Sequence, residues 1–532
     1  MGSDPAGPTV RLVEVLGSLS LACDAADGFA AESTVRLAVT AGALAERFGG
    51  DALVADVVIG GLLRHMGCTG FAVEEARDFG AGDDVGLRSV MAEVDFGRPE
   101  QAVALVQERL AAHAPPAERA AAVGALLGDG PAAAARHDAA QCDAAERLAA
   151  LLPVPAGAVT VTSDAFERWD GHGGPSGRAG EDISLVARIV EVAYVAELFR
   201  QRQGRGGAVA ELRARRGAHL DPTAVDAFLA DAGDLFDLVD DPRTSPWERL
   251  LDAEPEPHAR ISPAQLDDVA LAFGRFADLK SPWFTGHAEA VADLVVAAAD
   301  AAGLSGDGAT GGLGLAGLRR AALLHDLGIV AVPTGLWEAP RALHGPEVDR
   351  VRFHAWETDR ILSSSPLLAP LAAVAGATHE RLDGSGYHRG LAGDALGPAA
   401  RILAAADGAV ALRSARPHRP AHTLDAARAV LVDEVAAGRL DRQATSAVLE
   451  ALGGEALAAP PAVRPSGLTD REVDVVRLVA AGSSNKEVAA ALGITPKTVA
   501  HHVAHVYDKT GCRSRAGLTL FALEHHLIDR PA

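Results

Sequence analysis

Cysteine, lysine, strand-like alternation and long uncharged apolar runs are all scarce in this 532-residue chain. The four cysteines (Cys23, Cys68, Cys142 and Cys512) lie far apart with no C-x-x-C pair. That spacing excludes a disulfide framework or a zinc ribbon and fits a reducing compartment. No run approaches 18 uncharged apolar residues, since Val291–Ala302 is broken by Asp293 and Asp300, so no membrane span is expected. The start, Met1-Gly-Ser-Asp-Pro, lacks a basic segment followed by an apolar one, which predicts no signal peptide. These absences together lead to the expectation of a soluble, cytoplasmic protein. A net charge of −22 argues against a protein that coats nucleic acid along its whole length. The charge is uneven, however: Ser466–Ala532 carries +1, the remainder −23, and three of the four lysines (Lys486, Lys497, Lys509) lie in that tail. Such asymmetry points to a tail with its own partner.

What is present is helical. Apolar residues recur at helical spacing in stretches such as Val269–Asp278 and Ala399–Leu412, so the fold class is all-α. Proline and glycine interrupt the pattern at Asp240–Pro263 and Gly453–Gly467, which read as linkers. Three pieces follow, 1–240, 264–452 and 467–532, joined by linkers at 241–263 and 453–466. The first two are expected to be diverged copies. Gly61-Leu-Leu-Arg-His65-Met66-Gly parallels Ala322-Leu-Leu-His325-Asp326-Leu-Gly at an offset of 260. Phe166-Glu-Arg-Trp-Asp170-Gly-His-Gly parallels His379-Glu-Arg-Leu-Asp383-Gly-Ser-Gly at 213, and Ala187-Arg-Ile-Val parallels Ala400-Arg-Ile-Leu at the same offset.

The middle piece holds His287, His325-Asp326, His354, His379, Asp383 and Asp407. Imidazole and carboxylate together suit iron or manganese ahead of zinc or magnesium. A short carboxylate next to a histidine is able to bridge two cations, and a cation pair clamps a phosphodiester and generates hydroxide at neutral pH. The motifs Thr285-Gly-His287, Leu324-His325-Asp326-Leu-Gly328, His379-Glu-Arg-Leu-Asp383-Gly-Ser-Gly-Tyr387, Arg401-Ile-Leu and Asp407, ending near Arg416-Pro417, resemble the HD-GYP branch of the HD phosphohydrolases. Those are helical domains that cleave phosphoesters, typically linearising cyclic di-GMP. The resemblance implies one metal site from His287, His325, Asp326 and Asp407, and a second from Asp326, His354 and His379. Asp326, Asp383 and Tyr387 would be the catalytic residues, with Gly384 and Gly386 shaping a loop over the substrate. Departures from the family pattern are Ile329 in place of a lysine, Thr378 in place of a paired histidine, His388 in place of a proline, and Trp283 where three-metal members have a glutamate. They imply two metals rather than three and a weakened second site.

The same comparison strips the first piece of ligands. Met66, Phe166 and Tyr194 stand where Asp326, His379 and Asp407 would be, while His65 survives and His137 corresponds to His354. A thioether, a phenyl ring and a phenol cannot replace those ligands, so this copy is expected to bind no metal pair. Its loop Asp170-Gly-His-Gly-Gly-Pro remains open to a ligand or partner.

In the tail, Thr469-Asp-Arg-Glu472 and Ser484-Asn-Lys-Glu487 fit the S/T-x-x-E capping box, and Thr495-Pro496 sets a cap before a first-turn proline. Gly482 and Gly493 mark tight turns, giving helix-turn-helix spacing. The wording Leu468-Thr-x-Arg-Glu, Ala481-Gly-x-Ser-Asn-Lys-Glu-Val-Ala and Thr495-Pro-Lys-Thr-Val-x-x-His resembles the four-helix DNA-binding domain of LuxR/NarL-type regulators. That resemblance implies promoter DNA as partner. Phosphate contacts would come from Lys497 and the helix starts (Asn485, Lys486, Thr495), and base contacts from Thr498, Ala500, His501, Ala504 and His505. Dimerisation is expected through a last helix at about Arg513–Leu527, because one weakly basic copy gives little non-specific affinity. The chain thus reads as a transcription regulator with an HD-type input. That input is either a cyclic-dinucleotide phosphodiesterase, a non-catalytic nucleotide sensor, or a structural module.

Overall fold

A computed structural model of the chain describes residues 9–78, 82–107, 116–304, 310–457, 465–525 and 527–528. They fold almost entirely into helices; among the described residues the only sheet is a two-stranded antiparallel ribbon pairing Val10–Arg11 with Arg260–Ile261. The chain divides into two compact units, Met1–Ala456 and Leu457–Ala532.

The duplication is visible throughout the first unit. Leu12–Ala26, Ser33–Ala45 and Asp51–Leu63 match Pro263–Asp278, His287–Ala301 and Gly314–Leu323. Leu185–Arg215 and Pro222–Ala230 match Pro398–Arg413 and Arg442–Ala451. Local chemistry repeats with them. Buried Glu167 accepts the backbone N–H groups of Ser176 and Arg178 (2.7 and 2.8 Å), and buried Glu380 accepts those of Arg389 and Leu391 (2.9 and 3.1 Å). Arg188 pairs with the helix cap Asp221 at 2.8 Å, as Arg401 does with the cap Asp441 at 3.0 Å. A Cβ at Gly173 or at Gly386 would strike the backbone of the loop's first residues at about 2.4–2.5 Å. The turn therefore closes only with glycine at both places.

The stretch 241–263 is not the linker its prolines suggest. Ser245 caps a helix Pro246–Ala253 in a full capping box with Glu248, Leu250 is completely buried, and Ser262 caps the next helix at Pro263. Proline at the first helical position forfeits only an N–H that would be unpaired anyway, so here it starts helices. As a result the two copies form one unit rather than separately tethered pieces. In the second expected linker, 458–464 lie outside the described residues, and Pro465–Gly467 forms one 3-10 turn. The segment Asp51–Arg77 has the length and composition of a membrane span, contrary to the expectation from sequence, but 78% of its most apolar window is buried inside the protein.

Between the copies lies a buried ion pair. Lys280 Nζ is 2.6 Å from Asp84 Oδ2, both side chains fully buried, and donates to Val330 O at 3.0 Å. Asp84 also accepts the Thr334 N–H (2.8 Å) and lies 3.2 Å from Arg88, which pairs with Glu75; Glu75 in turn meets His137 at 3.0 Å. The network runs from the first copy's His137 to the turn just after His325-Asp326. Removing one partner from a buried pair leaves a charge without compensation and costs about 3–5 kcal/mol. Asp84→Ala should lower the unfolding free energy of the first unit by that amount in chemical denaturation, and Asp84→Leu with Lys280→Met should recover most of it. A loss under about 1 kcal/mol in the single variant would contradict this.

The second unit stacks Asp470–Ala480, Asn485–Leu492, Pro496–Thr510 and Arg515–Glu524 around Val473, Val476, Val488, Val499, Val506, Leu518 and Phe521. The capping boxes at Thr469/Glu472 and Ser484/Glu487 form, and Gly493 takes φ +65° in the turn between the second and third helices.

Candidate metal centre and nucleic-acid interface

Five elements of the second copy deliver six side chains to one point. His287 opens a helix whose cap is Gly286 (φ +73°), and His325 and Asp326 lie between helix Gly314–Leu323 and the 3-10 turn Leu327–Ala331. His354 lies mid-helix in Pro346–Ser363, His379 follows Ala369–Ala375, and Asp407 lies mid-helix in Pro398–Arg413. Gly328 is the contact that makes this possible. A Cβ there would lie 2.1 Å from His354 O, and its N–H donates to Thr358 Oγ1 at 2.8 Å, so the turn rests directly on the helix that carries His354.

Asp326 sits between two groups. Its Oδ2 is 3.6 Å from His287 Nε2 and 3.4 Å from His325 Nε2. Its Oδ1 is 3.5 Å from both His354 Nε2 and His379 Nε2. Asp407 Oδ1 lies 3.3 Å from His287 and 3.7 Å from His325. These gaps exceed hydrogen-bond length and match the separation of about 3–3.5 Å between neighbouring ligands on an ion bound at about 2.0–2.2 Å. The donor atoms form two sets, His287–His325–Asp326–Asp407 and Asp326–His354–His379, with Asp326 common to both. His325 Nε2 and His287 Nδ1 are buried without a hydrogen-bond partner. The orphaned His325 Nε2 and the mixed nitrogen and oxygen donors fit a divalent metal.

Electrostatics agree with a site built for positive charge. Burial alone would raise both carboxyls, but the histidines outweigh it and hold Asp326 and Asp407 far below the usual carboxylate range. Burial would lower His325, yet Asp326 and Asp407 lift it to about 9. His379 is lowered by burial and by His354. His325 Nδ1 lies 2.7 Å from Ala322 O and His354 Nδ1 2.5 Å from Val351 O, which leaves His325 Nε2 facing the carboxylates and His354 Nε2 facing His379 Nε2 (2.8 Å) and Asp326.

Other expected site residues are placed differently. Tyr387 stacks on His379 (centroids 4.8 Å apart, 20°) beneath the Arg352 guanidinium, so it belongs to the centre. Asp383 does not. Its exposed carboxylate turns back on Ser385, accepting the N–H at 2.9 Å and the hydroxyl at 2.6 Å. Asp170 makes the same turn with His172 N in the first copy. In this fold Asp383 shapes the loop, and Gly384 supplies the positive φ (+78°) in it. Ile329 is buried in the 3-10 turn, and Thr378 donates to Ala375 O, away from the centre. Sequence reasoning used Arg416 only to mark the end of the motif. Its guanidinium lies 4.8 Å from the Phe284 ring and is held near Asp407 and Asp326.

In the first copy, the fold adds a correspondence hidden from sequence offsets. Ser33 opens its helix after Glu32 (φ +67°, ψ 13°), just as His287 follows Gly286 (φ +73°, ψ 11°). Asp24 accepts the Thr34 N–H as Asp278 accepts that of Ala288. The offset here is 254, not 260, and so the alignment on His65 passes over Ser33. Arg64 fills the space between Phe166 and Tyr194, its guanidinium 5.2 and 4.7 Å from the two rings and paired with Glu191 at 3.0 Å.

In the second unit, Val499, Val503 and Val506 bury one face of Pro496–Thr510, leaving Lys497, Thr498, Ala500, His501, Ala504 and His505 exposed. Thr495 caps this helix through Thr498 N (3.2 Å), and the rings of His501 and His505 lie 4.2 Å apart. Lys486 is exposed, whereas Asn485 accepts from Arg515 and Lys509 pairs with Glu472 (2.7 Å).

The fold and site define an HD-type helical protein with a helix-turn-helix unit, and the chain carries both domains. The HD domain model matches residues 140–224 and 273–444, and that of bacterial regulatory proteins of the luxR family matches 466–522. The chain is 35% identical over 283 residues to 3′3′-cGAMP-specific phosphodiesterase 3 of Vibrio cholerae, covering 51% of this chain and 57% of that protein. It is 41% identical over 116 residues to the cyclic di-GMP phosphodiesterase response regulator RpfG of Xanthomonas campestris (21% and 31%). With the transcriptional regulatory protein MctR of Rhizobium johnstonii the identity is 43% over 63 residues (12% and 29%). The match thus spans little more than half of the first relative and under a third of the other two. The crystal structure of a cyclic GMP-AMP-specific phosphodiesterase of V. cholerae, V-cGAP3, shares the fold (TM-score 0.55, 24% identity, 85% of this chain and 99% of that one).

Because Asp326 belongs to both donor sets, its loss should remove more metal than loss of any histidine. Manganese content measured by equilibrium dialysis should approach two equivalents in the unaltered protein and about one in His354→Ala. It should fall below one in Asp326→Ala. Retention of both equivalents by Asp326→Ala would contradict the arrangement.

Proposed function

We propose that the chain is a cytoplasmic DNA-binding regulator whose HD domain holds a divalent metal pair, iron or manganese, and hydrolyses a phosphodiester of a cyclic dinucleotide. The observation that carries this reading is Asp326, with one carboxylate oxygen turned to each pair of histidines. A bound metal pair would supply a hydroxide nucleophile at neutral pH and neutralise phosphoryl charge. His287, His325 and Asp407 would hold one cation, His354 and His379 the other, with Asp326 bridging. Tyr387, stacked on His379, orients that imidazole and closes the wall of the centre. Arg416 and Arg352 bring positive charge to the two sides of the site, beside Asp407 and Tyr387 respectively. The exposed Thr498, Ala500, His501, Ala504 and His505 would face the major groove. Two of these are small, so methyl contacts and DNA shape would carry much of the specificity. Leu520, 60% exposed on the last helix, suits a homodimer on paired half-sites.

A second reading, a nucleotide sensor without turnover, is favoured by the apolar Ile329, which places no ammonium beside the centre. One missing donor to a developing oxyanion costs on the order of 100-fold in rate. With manganese, the purified protein should linearise cyclic di-GMP or 3′3′-cGAMP, Asp326→Ala should abolish turnover while DNA binding persists, and Ile329→Lys should raise the rate. No linear product from any of the three proteins, with nucleotide still shifting DNA affinity, would establish the sensor instead. On DNA, Lys497→Ala should weaken binding similarly across sequences and reduce the salt slope by about 1. An unchanged slope would remove Lys497 from the phosphate contacts.

A further inference from the structure

A cavity of about 230 Å³ opens in the first copy where the second has its metal centre, lined by Ser33, His65 and Tyr194. Ser33 and Tyr194 are the counterparts of His287 and Asp407, and His65 falls at the place of Asp326. Phe29, Thr34, Glu197, Gln201 and Arg202 complete the wall on which the inference rests. Loss of the metal ligands has not closed the space. Phe29, His65 and Tyr194 form an aromatic wall of mutually inclined rings, with centroids 5.4 Å apart at 86° (Phe29–His65), 5.2 Å at 58° (His65–Tyr194) and 6.4 Å at 44° (Phe29–Tyr194).

The lining decides what fits. Arg64 already lies against the Tyr194 ring at 4.7 Å. Both oxygens of Glu197 are taken, by Arg200 (2.7 and 2.8 Å) and Gln201 (2.6 Å). An organic cation would therefore find the ring face occupied and no free carboxylate. A phosphate would be repelled from the interior, where Asp27 stands 2.6 Å behind His65 and Asp24 behind Thr34. A neutral planar ring suits the aromatic wall, with donors on its edge meeting Ser33 Oγ, whose own hydrogen goes to Ala30 O, and the Gln201 amide, whose NH2 is bound to Ser33 and Glu197. Arg202, exposed at the mouth, donates to Ser89 and lies 3.6 Å from Glu93, and its guanidinium is placed to share itself with an anion attached to such a ring. The volume lies below the roughly 300–1,000 Å³ of pockets for drug-sized ligands, so one base enters and a whole cyclic dinucleotide does not.

We propose that the first copy is a nucleotide-binding module without metal. One nucleobase packs its face against Phe29 and turns its edge to His65 and Tyr194, and its phosphate meets Arg202 at the rim. The source is either a free mononucleotide or the linear dinucleotide that phosphodiester cleavage would release. Binding needs no metal and no turnover at Asp326.

Isothermal titration of the full chain in excess EDTA tests this with guanosine, guanosine 5′-monophosphate, linear pGpG and inorganic phosphate. The nucleoside and at least one nucleotide should bind, and phosphate alone should not; the tighter of the two nucleotides identifies the source. Phe29→Ala should weaken nucleoside and nucleotide at least ten-fold. Arg202→Ala should weaken the nucleotide about ten-fold and leave the nucleoside unchanged. Gln201→Trp, on an exposed position, should block both while the melting temperature stays the same. Heat from phosphate alone, no heat from any nucleoside or nucleotide, or binding that survives Gln201→Trp would overturn the proposal.

Discussion

A single carboxylate shared between two pairs of imidazoles organises the second copy. Asp326 is largely enclosed by histidines, and an anion in that position is stable only when positive charge surrounds it on both sides. The fold supplies the geometry by pressing the turn Leu327–Ala331 onto the helix of His354, an approach that depends on the missing side chain at Gly328. The ion pair Lys280–Asp84 then fixes the far end of the same turn through Val330 and Thr334. The first copy thus braces the centre it does not itself possess.

The two copies show how one scaffold supports different chemistry. Loop closure is the same in both: a buried glutamate gathers two backbone amides, and an arginine clamps the cap of the following helix. Only the inward groups differ. Where the second copy has His325-Asp326, His379 and Asp407, the first has Arg64-His65, Phe166 and Tyr194, with the Arg64 guanidinium against the two rings; Met66, expected in the place of Asp326, instead matches Leu327. The positive charge needed at that place comes from a side chain, and the adjoining space remains open.

Much of this was legible in the sequence because the chemistry is carried by rare residues at fixed spacing. Six of the seven histidine and aspartate groups named in the middle piece are gathered by the fold, Asp383 being the exception, and the helical class followed from periodicity. The capping boxes at Thr469 and Ser484 form as their spacing predicts. Composition misled where function depends on position. Prolines in 241–263 imply a linker, yet two of them follow serine caps and open helices. Asp383 lies in the motif, but its carboxylate is used by Ser385. The equivalence of Ser33 and His287 was hidden by a length difference between copies, and only the matching left-handed caps at Glu32 and Gly286 expose it.

The central claim is that Asp326 bridges two cations, and anomalous diffraction from crystals soaked in manganese tests it most directly. Two peaks about 3.5–4 Å apart, one on each side of the Asp326 carboxylate, are the predicted result. A single peak, or peaks away from Asp326, would contradict it.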